Sequence, residues 1–362
     1  MLDRLPRLSA LRSNPPRNPT IGASLGPVRG ALSALAEGSG RSLLVACSGG
    51  ADSVATLGLL VLLERSEGLT LSVGHVDHGL RPESADEAEL VRALAEGLGL
   101  PCFVERAELA RGPGLPARAR AARRGALEAM AEQAGADAIV LAHTATDQAE
   151  TMLMHATRGA GLVGLAAMPV LDGPWLRPVL DLTRMQTREL AELLELPFVD
   201  DPTNEDREQL RTWLRHEVLR PLRATNPRVE VLMAGLAREA RDAQEAVEVW
   251  AMREVDSRRT SLEPGSESWT LDEFDALPRA IRMRVMRRLC ELAGADLSRL
   301  HRRTVAAMEQ ACVDVSEATR AGRGAPRPAP RRWQLHPGRE VIVDKNGVRY
   351  QSTAGLGSDD AR

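Results

Sequence analysis

The chain has 362 residues, of which 43% are hydrophobic and only 2% aromatic, and a net charge of −3. That length exceeds what one hydrophobic core usually holds, so two domains are expected. The charge balance excludes a simple polycation, and no apolar run reaches the ~18 residues a transmembrane helix needs. Four cysteines, Cys47, Cys102, Cys290 and Cys312, form no CxxC pair. Their wide spacing argues against a disulfide scaffold or a zinc ribbon and for a reducing, cytoplasmic setting. Lys345 is the one lysine, so nearly all positive charge is arginine, whose fork matches phosphate and does not deprotonate.

Residues 1–20 carry Arg and Pro without the apolar centre of a signal peptide, and read as a loose extension or a misassigned start. Together with a lead-in helix they make up residues 1–38. The regular pattern begins at Ser42–Cys47 (SLLVAC), a short apolar run that reads as a buried parallel strand. A helix is expected over Asp52–Leu63, a second strand over Leu69–His75 and a second helix over Ser84–Glu96. Ser84 and Glu87 fit a capping box there, and Gly97 fits the stop. Pro101–Val104 reads as a strand, 117–134 as an Ala- and Arg-rich helix, Ala136–Ala142 as a strand and Thr146–Arg158 as a helix. Strands alternating with helices predict a parallel sheet covered on both faces, within a domain spanning 39–225. Ligands of such sheets bind at the carboxyl ends of the strands, where Ser48–Ser53, His75–Arg81 and His143–Thr151 all fall.

Residues 226–262 read as a linker built on one long charged helix, about 228–258. A second domain is expected over 263–355. It opens with the loop Glu263–Ser268 and two helices, 278–293 and 297–311. A Pro-, Gly- and Arg-rich stretch, Ala321–Arg332, precedes short strands at Trp333–Leu335, Glu340–Val343 and Val348–Gln351. The last two strands are joined by a Lys-Asn-Gly turn.

Ser48-Gly49-Gly50-Ala51-Asp52-Ser53 lies between a strand and a helix. Two glycines allow a sharp turn and close backbone approach. The following helix aims free N–H groups into that turn, which makes an anion site. Ser48 and Ser53 add hydroxyls. No Gly-Lys-Ser/Thr ending is present, so this is not a Walker loop. Asp52 beside phosphates requires a bridging cation, which assigns it to Mg²⁺. An ordinary Gly-Gly turn with a capping Asp is the bland alternative. The hexapeptide resembles the loop of the PP-loop ATP pyrophosphatase superfamily, whose members adenylate a carbonyl oxygen and release pyrophosphate.

Further segments are similar to tRNA(Ile)-lysidine synthetases. His75-Val76-Asp77-His78-Gly79-Leu80-Arg81 resembles HVNHGLR, with Asp77 for Asn. A zinc site would need more clustered ligands, so the run reads as a loop lining the ATP pocket, with His75 and Arg81 toward the nucleotide. Residues 119–127 resemble ARxxRYxxL, with Arg124 for Tyr. Arg120 and Arg123 share one helix face in a stretch, Arg106–Arg124, with six arginines and one acid. That suits RNA or ATP phosphates, and equally a solvated basic face. His143-Thr144-Ala145-Thr146-Asp147-Gln148-Ala149-Glu150-Thr151 resembles HxxDDQAET, with Thr146 for the first Asp. Asp147, Glu150 and Thr151 share a helix face. The two carboxylates are candidates to hold Mg²⁺ or a lysine ammonium, or to take its proton. Residues 158–165 resemble RGxGLxGL, Arg177–Leu180 RPLL with Arg184 behind it, Asp201–Asp206 DPSNxD, and Arg211–Arg215 RNxIR.

The resemblance implies an α/β fold. A parallel-sheet PP-loop (adenine nucleotide alpha hydrolase-like) domain with helices on both faces precedes a smaller, mainly helical C-terminal domain with short strands. It implies ATP and Mg²⁺ as cofactors, and Asp52, Asp147 and Glu150 as catalytic residues, the first two also metal ligands. Substrate contacts would come from Arg120, Arg123, His143, Arg158, Arg211 and Arg215. The expected partners are free L-lysine and a tRNA(Ile) with a CAU anticodon, and there is room for a homodimer. The reaction would adenylate C2 of the wobble cytidine, which the lysine ε-amine then attacks. Basic stretches at Ala276–Arg303 (eight arginines, two acids) and Arg320–Glu340 (six arginines, one acid) suit tRNA binding, with Trp333 as a stacking partner. A cytidine thiolase would need paired cysteines, which are absent. A non-catalytic relative that binds tRNA or ATP is the other alternative.

Overall fold

Ser42–Ala46 (β1) is buried over Leu43–Val45, which is why its sequence is continuously apolar rather than alternating. The structure is a computed structural model that describes residues 8, 10–13, 16–35, 41–77, 84–106, 115–199, 210–261, 267–296, 300–322, 325–336 and 339–352. The chain divides into two units, Met1–Arg241 and Asp242–Arg362, with the division inside the long helix Val229–Arg258.

In the first unit β1 is joined by β2 (Thr70–Asp77), β3 (Cys102–Arg106), β4 (Ala138–Val140), β5 (Leu171–Asp172) and β6 (Trp175–Leu176). The order is β3-β2-β1-β4-β6-β5, parallel throughout except for the β5–β6 pair. Leu43 and Val45 pack on one face with the helices Pro19–Leu32, Ala51–Glu67, Ser84–Gly97 and Arg184–Leu193. Leu44 points the other way, to Leu127 and Met130 of the helix Leu115–Ala134 and to Trp175. Both faces are covered, as the alternating pattern requires. The direction of the chain reverses between β1 and β4, so the crevice at their carboxyl ends is the topological switch point of the sheet.

The helix Ala51–Glu67 lies close against the chain that leaves Arg184–Leu193. A Cβ on Gly58 would sit 2.6 Å from Leu196 Cδ1 and 2.9 Å from Leu194 Cδ1. Glycine at 58 therefore sets the distance between two helices that both open onto the switch point. The β5–β6 hairpin was not expected from the sequence, because two-residue strands show no periodicity. The strand expected over Ala136–Ala142 is confined to Ala138–Val140.

The second unit is a five-stranded antiparallel sheet packed with two helices. Its strands are β7 (Arg259–Ser261), β8 (Ser268–Trp269), β9 (Arg331–His336), β10 (Arg339–Asp344) and β11 (Gly347–Ser352), in the order β7-β8-β11-β10-β9. β9 begins inside the stretch expected to be a loop to Arg332, and β7 and β8 were not expected. The helix expected over 297–311 runs instead over Arg302–Arg320. It meets Arg279–Leu292 through two sulfur contacts, Cys290 Sγ to Met308 Sδ at 3.7 Å and Cys312 Sγ to Met286 Sδ at 3.5 Å. All four cysteines are free thiols. No helix among the described residues is long and apolar enough to cross a membrane.

The β10–β11 turn depends on Gly347. Its φ is +120°, and a Cβ would lie 2.0 Å from the backbone oxygen of Trp269 on β8. Gly347→Ala is expected to destabilise the second unit by roughly 2–4 kcal/mol through backbone strain and overlap, read as a lower thermal midpoint by circular dichroism. An unchanged midpoint would refute this account of the turn.

Candidate active site at the carboxyl ends of β1, β4 and β6

Three helices begin at the switch point. Ala51–Glu67 follows β1 through Cys47–Gly50, where Gly49 takes φ +86° and Gly50 caps the helix without a side-chain bond. The first N–H groups of that helix are left for an anion. Inside the loop the Ser53 hydroxyl donates to Gly50 O at 2.9 Å and accepts from Ser48 N at 3.2 Å. The Val199 N–H donates to Gly49 O at 2.9 Å, which fixes the outer edge. Ser48, Gly49, Gly50, Ala51, Asp52 and Ser53 thus form one cradle. His75, at the end of β2, is buried beneath it and donates from Nδ1 to Cys47 O at 2.8 Å, since a carbonyl only accepts. Burial holds its pKa below the ordinary value. The structure makes His75 a brace for the loop. Arg81 and Asp201–Asp206 lie outside the described residues.

The second helix, Ala145–Thr157, follows β4. Thr144 and Asp147 form a reciprocal capping box, with Thr144 N and Oγ1 both donating to Asp147 Oδ2 at 2.8 Å. The third helix, Arg184–Leu193, follows β6 and is capped by Thr183 and Gln186 in the same way. Its first residue, Arg184, reaches both other helix starts. Arg184 Nη2 donates to Asp147 Oδ1 at 2.8 Å, and Arg184 Nε lies 3.6 Å from Asp52 Oδ2. Thr187, one turn further, donates a short hydrogen bond to Asp52 Oδ1. Arg184 N–H also donates to Thr146 Oγ1 at 3.2 Å. The threonine that departs from the HxxDDQAET pattern therefore ties the second helix to the third.

The electrostatics follow from these contacts. Burial pushes the Asp52 carboxyl up, against the opposing pull of Arg184 and Thr187. For Asp147 burial also raises the pKa, but Arg184, His143 and the Thr144 bonds outweigh it and hold the carboxyl down at about 2. Burial lowers the Arg184 pKa, and Asp147 and Asp52 more than reverse that. Glu150, 1% exposed, accepts from Arg215 Nε at 2.7 Å. Arg215 sits in the π-helical turn Leu214–Leu219 that continues the helix Leu210–Trp213. Sequence reading gave Arg215 to the substrate; here it neutralises Glu150.

A second cationic group surrounds His143. Burial lowers the His143 pKa to about 4, reinforced by Arg177, Arg123 and Arg211 against Asp147. Arg123 is exposed overall, yet partial burial of its guanidinium and the like charges of Arg120 and Arg211 lower its pKa. Arg124, where the family pattern has Tyr, stacks 4.4 Å over the Trp175 ring. Arg177 is 5% exposed and donates to Pro169 O at 3.0 Å. Arg158 stands apart, exposed at the C-cap of its helix, about 16 Å along the axis from Asp147. Sequence reading missed the roles of Arg184, Thr187 and Arg177, since all three follow the unforeseen β6.

Two carboxylates that converge on one point suit Mg²⁺, which takes one or two carboxylates with phosphate and water oxygens. Asp52 and Asp147 fit this, with Arg184 now between them. No group of three His, Cys, Asp or Glu side chains that could hold a metal occurs among the described residues.

A family profile described as a PP-loop domain matches residues 28–222. A tRNA(Ile)-lysidine synthase from Thermobifida fusca is 36% identical over 333 residues, covering 91% of this chain and 99% of its own. The chain belongs to the tRNA(Ile)-lysidine synthase family. A family member from Streptomyces coelicolor is 39% identical over 258 residues, with 70% of this chain and 72% of its own covered. Among solved structures, a U34-tRNA thiolase from Methanococcus maripaludis with its [4Fe-4S] cluster aligns with a TM-score of 0.50 at 19% identity. That alignment covers 61% of this chain and 80% of the thiolase, a likeness of fold.

Two outcomes test the site. Arg215→Ala strands a buried carboxylate and is expected to cost about 3–5 kcal/mol in chemical denaturation, with Arg215→Lys recovering part of it; a loss below about 1 kcal/mol would show that Glu150 is solvated. His143 is neutral in the fold down to a pH of about 4, against an ordinary value of 6.5. The unfolded chain therefore takes up a proton first, and stability falls as pH drops through that window. His143→Gln is expected to remove about 2–3 kcal/mol of that pH-dependent loss; identical pH profiles would contradict it.

Proposed function

We infer that this chain is an ATP-dependent carbon–nitrogen ligase that makes lysidine in tRNA(Ile). The observation that carries the reading is the bridge that Arg184 makes between Asp147 on the Asp147–Glu150 helix and Asp52 of the Ser48–Ser53 loop, in a chain that aligns with a lysidine synthase over nearly its whole length. ATP lies with its phosphates on the loop N–H groups. The C2 carbonyl oxygen of the wobble cytidine attacks the α-phosphorus and pyrophosphate leaves. The ε-amine of free lysine then attacks C2, its ammonium proton is lost to a base, and AMP departs.

The protein's share is positioning and charge neutralisation. The Ser48–Ser53 loop orients the phosphates. Asp52 and Asp147 would hold Mg²⁺, which supplies charge neutralisation at the phosphates when bound. Asp147, held by Arg184 and by both Thr144 donors, serves as a counter-ion. Arg120, Arg123 and Arg211 present cationic groups near His143 to RNA phosphate. The second unit adds tRNA contacts, and the enzyme works in the cytoplasm.

The test is incubation with ATP, labelled lysine and a CAU-anticodon tRNA(Ile). Label is expected in the tRNA, with one pyrophosphate released per lysine; no label would sink the lysidine reading. Asp52→Asn is expected to lower the rate by roughly 100-fold or more, and a near-normal rate would remove the metal assignment.

A further inference from the structure

Arg184 occupies an electrostatically unfavourable position for a cation. It is the first residue of its helix, at the positive pole of the macrodipole. Two other helix starts meet it there. Asp52 lies in the first turn of one helix and Asp147 in the first turn of the other, each well placed for a carboxylate. The guanidinium is held by those two carboxylates, at 2.8 Å from Asp147 and 3.6 Å from Asp52. Its backbone N–H is separately tied to Thr146, so the side chain can leave while the helix start stays fixed.

We propose that Arg184 and the divalent cation exchange places on the Asp52–Asp147 pair, the displaced guanidinium turning onto the phosphates of the nucleotide. This rests on the adenylating function above. The two carboxylates cannot serve a guanidinium and a metal at the same oxygens. A divalent ion brings twice the charge in a smaller volume, so it competes best when the nucleotide arrives with it and offers Arg184 new acceptors. A guanidinium matches phosphate oxygens in a bidentate fork. Three helix poles and an arginine then face the pyrophosphate that must leave, whereas before loading the same arginine prevents repulsion between the buried Asp147 and the half-buried Asp52. The exchange couples metal entry to nucleotide entry: metal alone has to displace a paired arginine, and nucleotide alone meets two carboxylates. Thr187 donates to Asp52 Oδ1, a contact that does not depend on the Arg184 guanidinium.

The experiment measures Mn²⁺ binding by the free-ion EPR signal, without nucleotide, on full-length wild type, Arg184→Gln and Arg184→Lys. Removal of the competing charge is expected to tighten Mn²⁺ binding in Arg184→Gln by roughly tenfold or more, with Arg184→Lys near wild type. The gain is expected to vanish in the Asp52→Asn/Arg184→Gln double variant. Pyrophosphate exchange into ATP, with tRNA present, is expected to fall by roughly 100-fold in Arg184→Gln. Opposite changes in metal affinity and activity separate this role from a structural one, which would weaken both. Unchanged or weaker Mn²⁺ binding in a variant with native circular dichroism overturns the proposal. So does a gain that survives in the double variant. Failure of the functional reading is separately visible, as wild-type protein that binds Mn²⁺ yet exchanges no pyrophosphate.

Discussion

The contact between Arg184 and the carboxylates of Asp52 and Asp147 joins three segments that are far apart in sequence. Each group belongs to the first turn of a helix that leaves a different strand of one sheet. Three positive helix poles at one point would repel any cation and attract water or anions. Two carboxylates and one guanidinium leave that point near neutral, which allows it to be partly buried. Much of the first unit serves to bring those helix starts together. The capping boxes at Thr144 and Thr183 fix where two helices begin, and Gly58 lets the Asp52 helix lie against the chain beyond the Arg184 helix.

The sheet explains why the point lies where it does. β1 and β4 are neighbours, and their chains depart in opposite directions. The groove between those departures is where open α/β sheets bind their ligands. β6 extends the same edge by one strand of two residues, enough to aim Arg177 and Arg184 along the groove from the far side. A short strand suffices because its Trp175 is 2% exposed, under Arg124. The arginine that departs from the family pattern at 124 covers the anchor of β6.

Much of this was legible in the residues. Ser48–Ser53 and Asp147–Glu150 stand out in the sequence by residue type and spacing, and the structure brings Asp52 and Asp147 onto one arginine. Strands β1 and β2 could be read because burial on both faces makes them continuously apolar. What escaped reading is long-range. Nothing near Arg184 in sequence hints at Asp52, and nothing near Arg215 hints at Glu150. Charge windows misled for the same reason. Arg282, Arg284 and Arg288 lie in a stretch counted as strongly basic, yet they pair with Glu309, Glu248 and Glu291. Two of those acids lie outside the window. Trp333, read as a stacking partner, is a half-buried residue packed against the core of the second unit. Trp213 and Trp250 are the exposed tryptophans.

The cations identified around the switch point are all guanidinium groups, at 120, 123, 124, 177, 184, 211 and 215, and the sole lysine, Lys345, lies in the β10–β11 turn of the other unit. An adenylated cytidine is an electrophile that any neutral primary amine can attack. A guanidinium stays protonated and is a very weak nucleophile at physiological pH. Positive charge and nucleophilicity are thus separated among these residues. They can neutralise phosphate without offering an amine of their own, so self-modification does not compete with the incoming substrate.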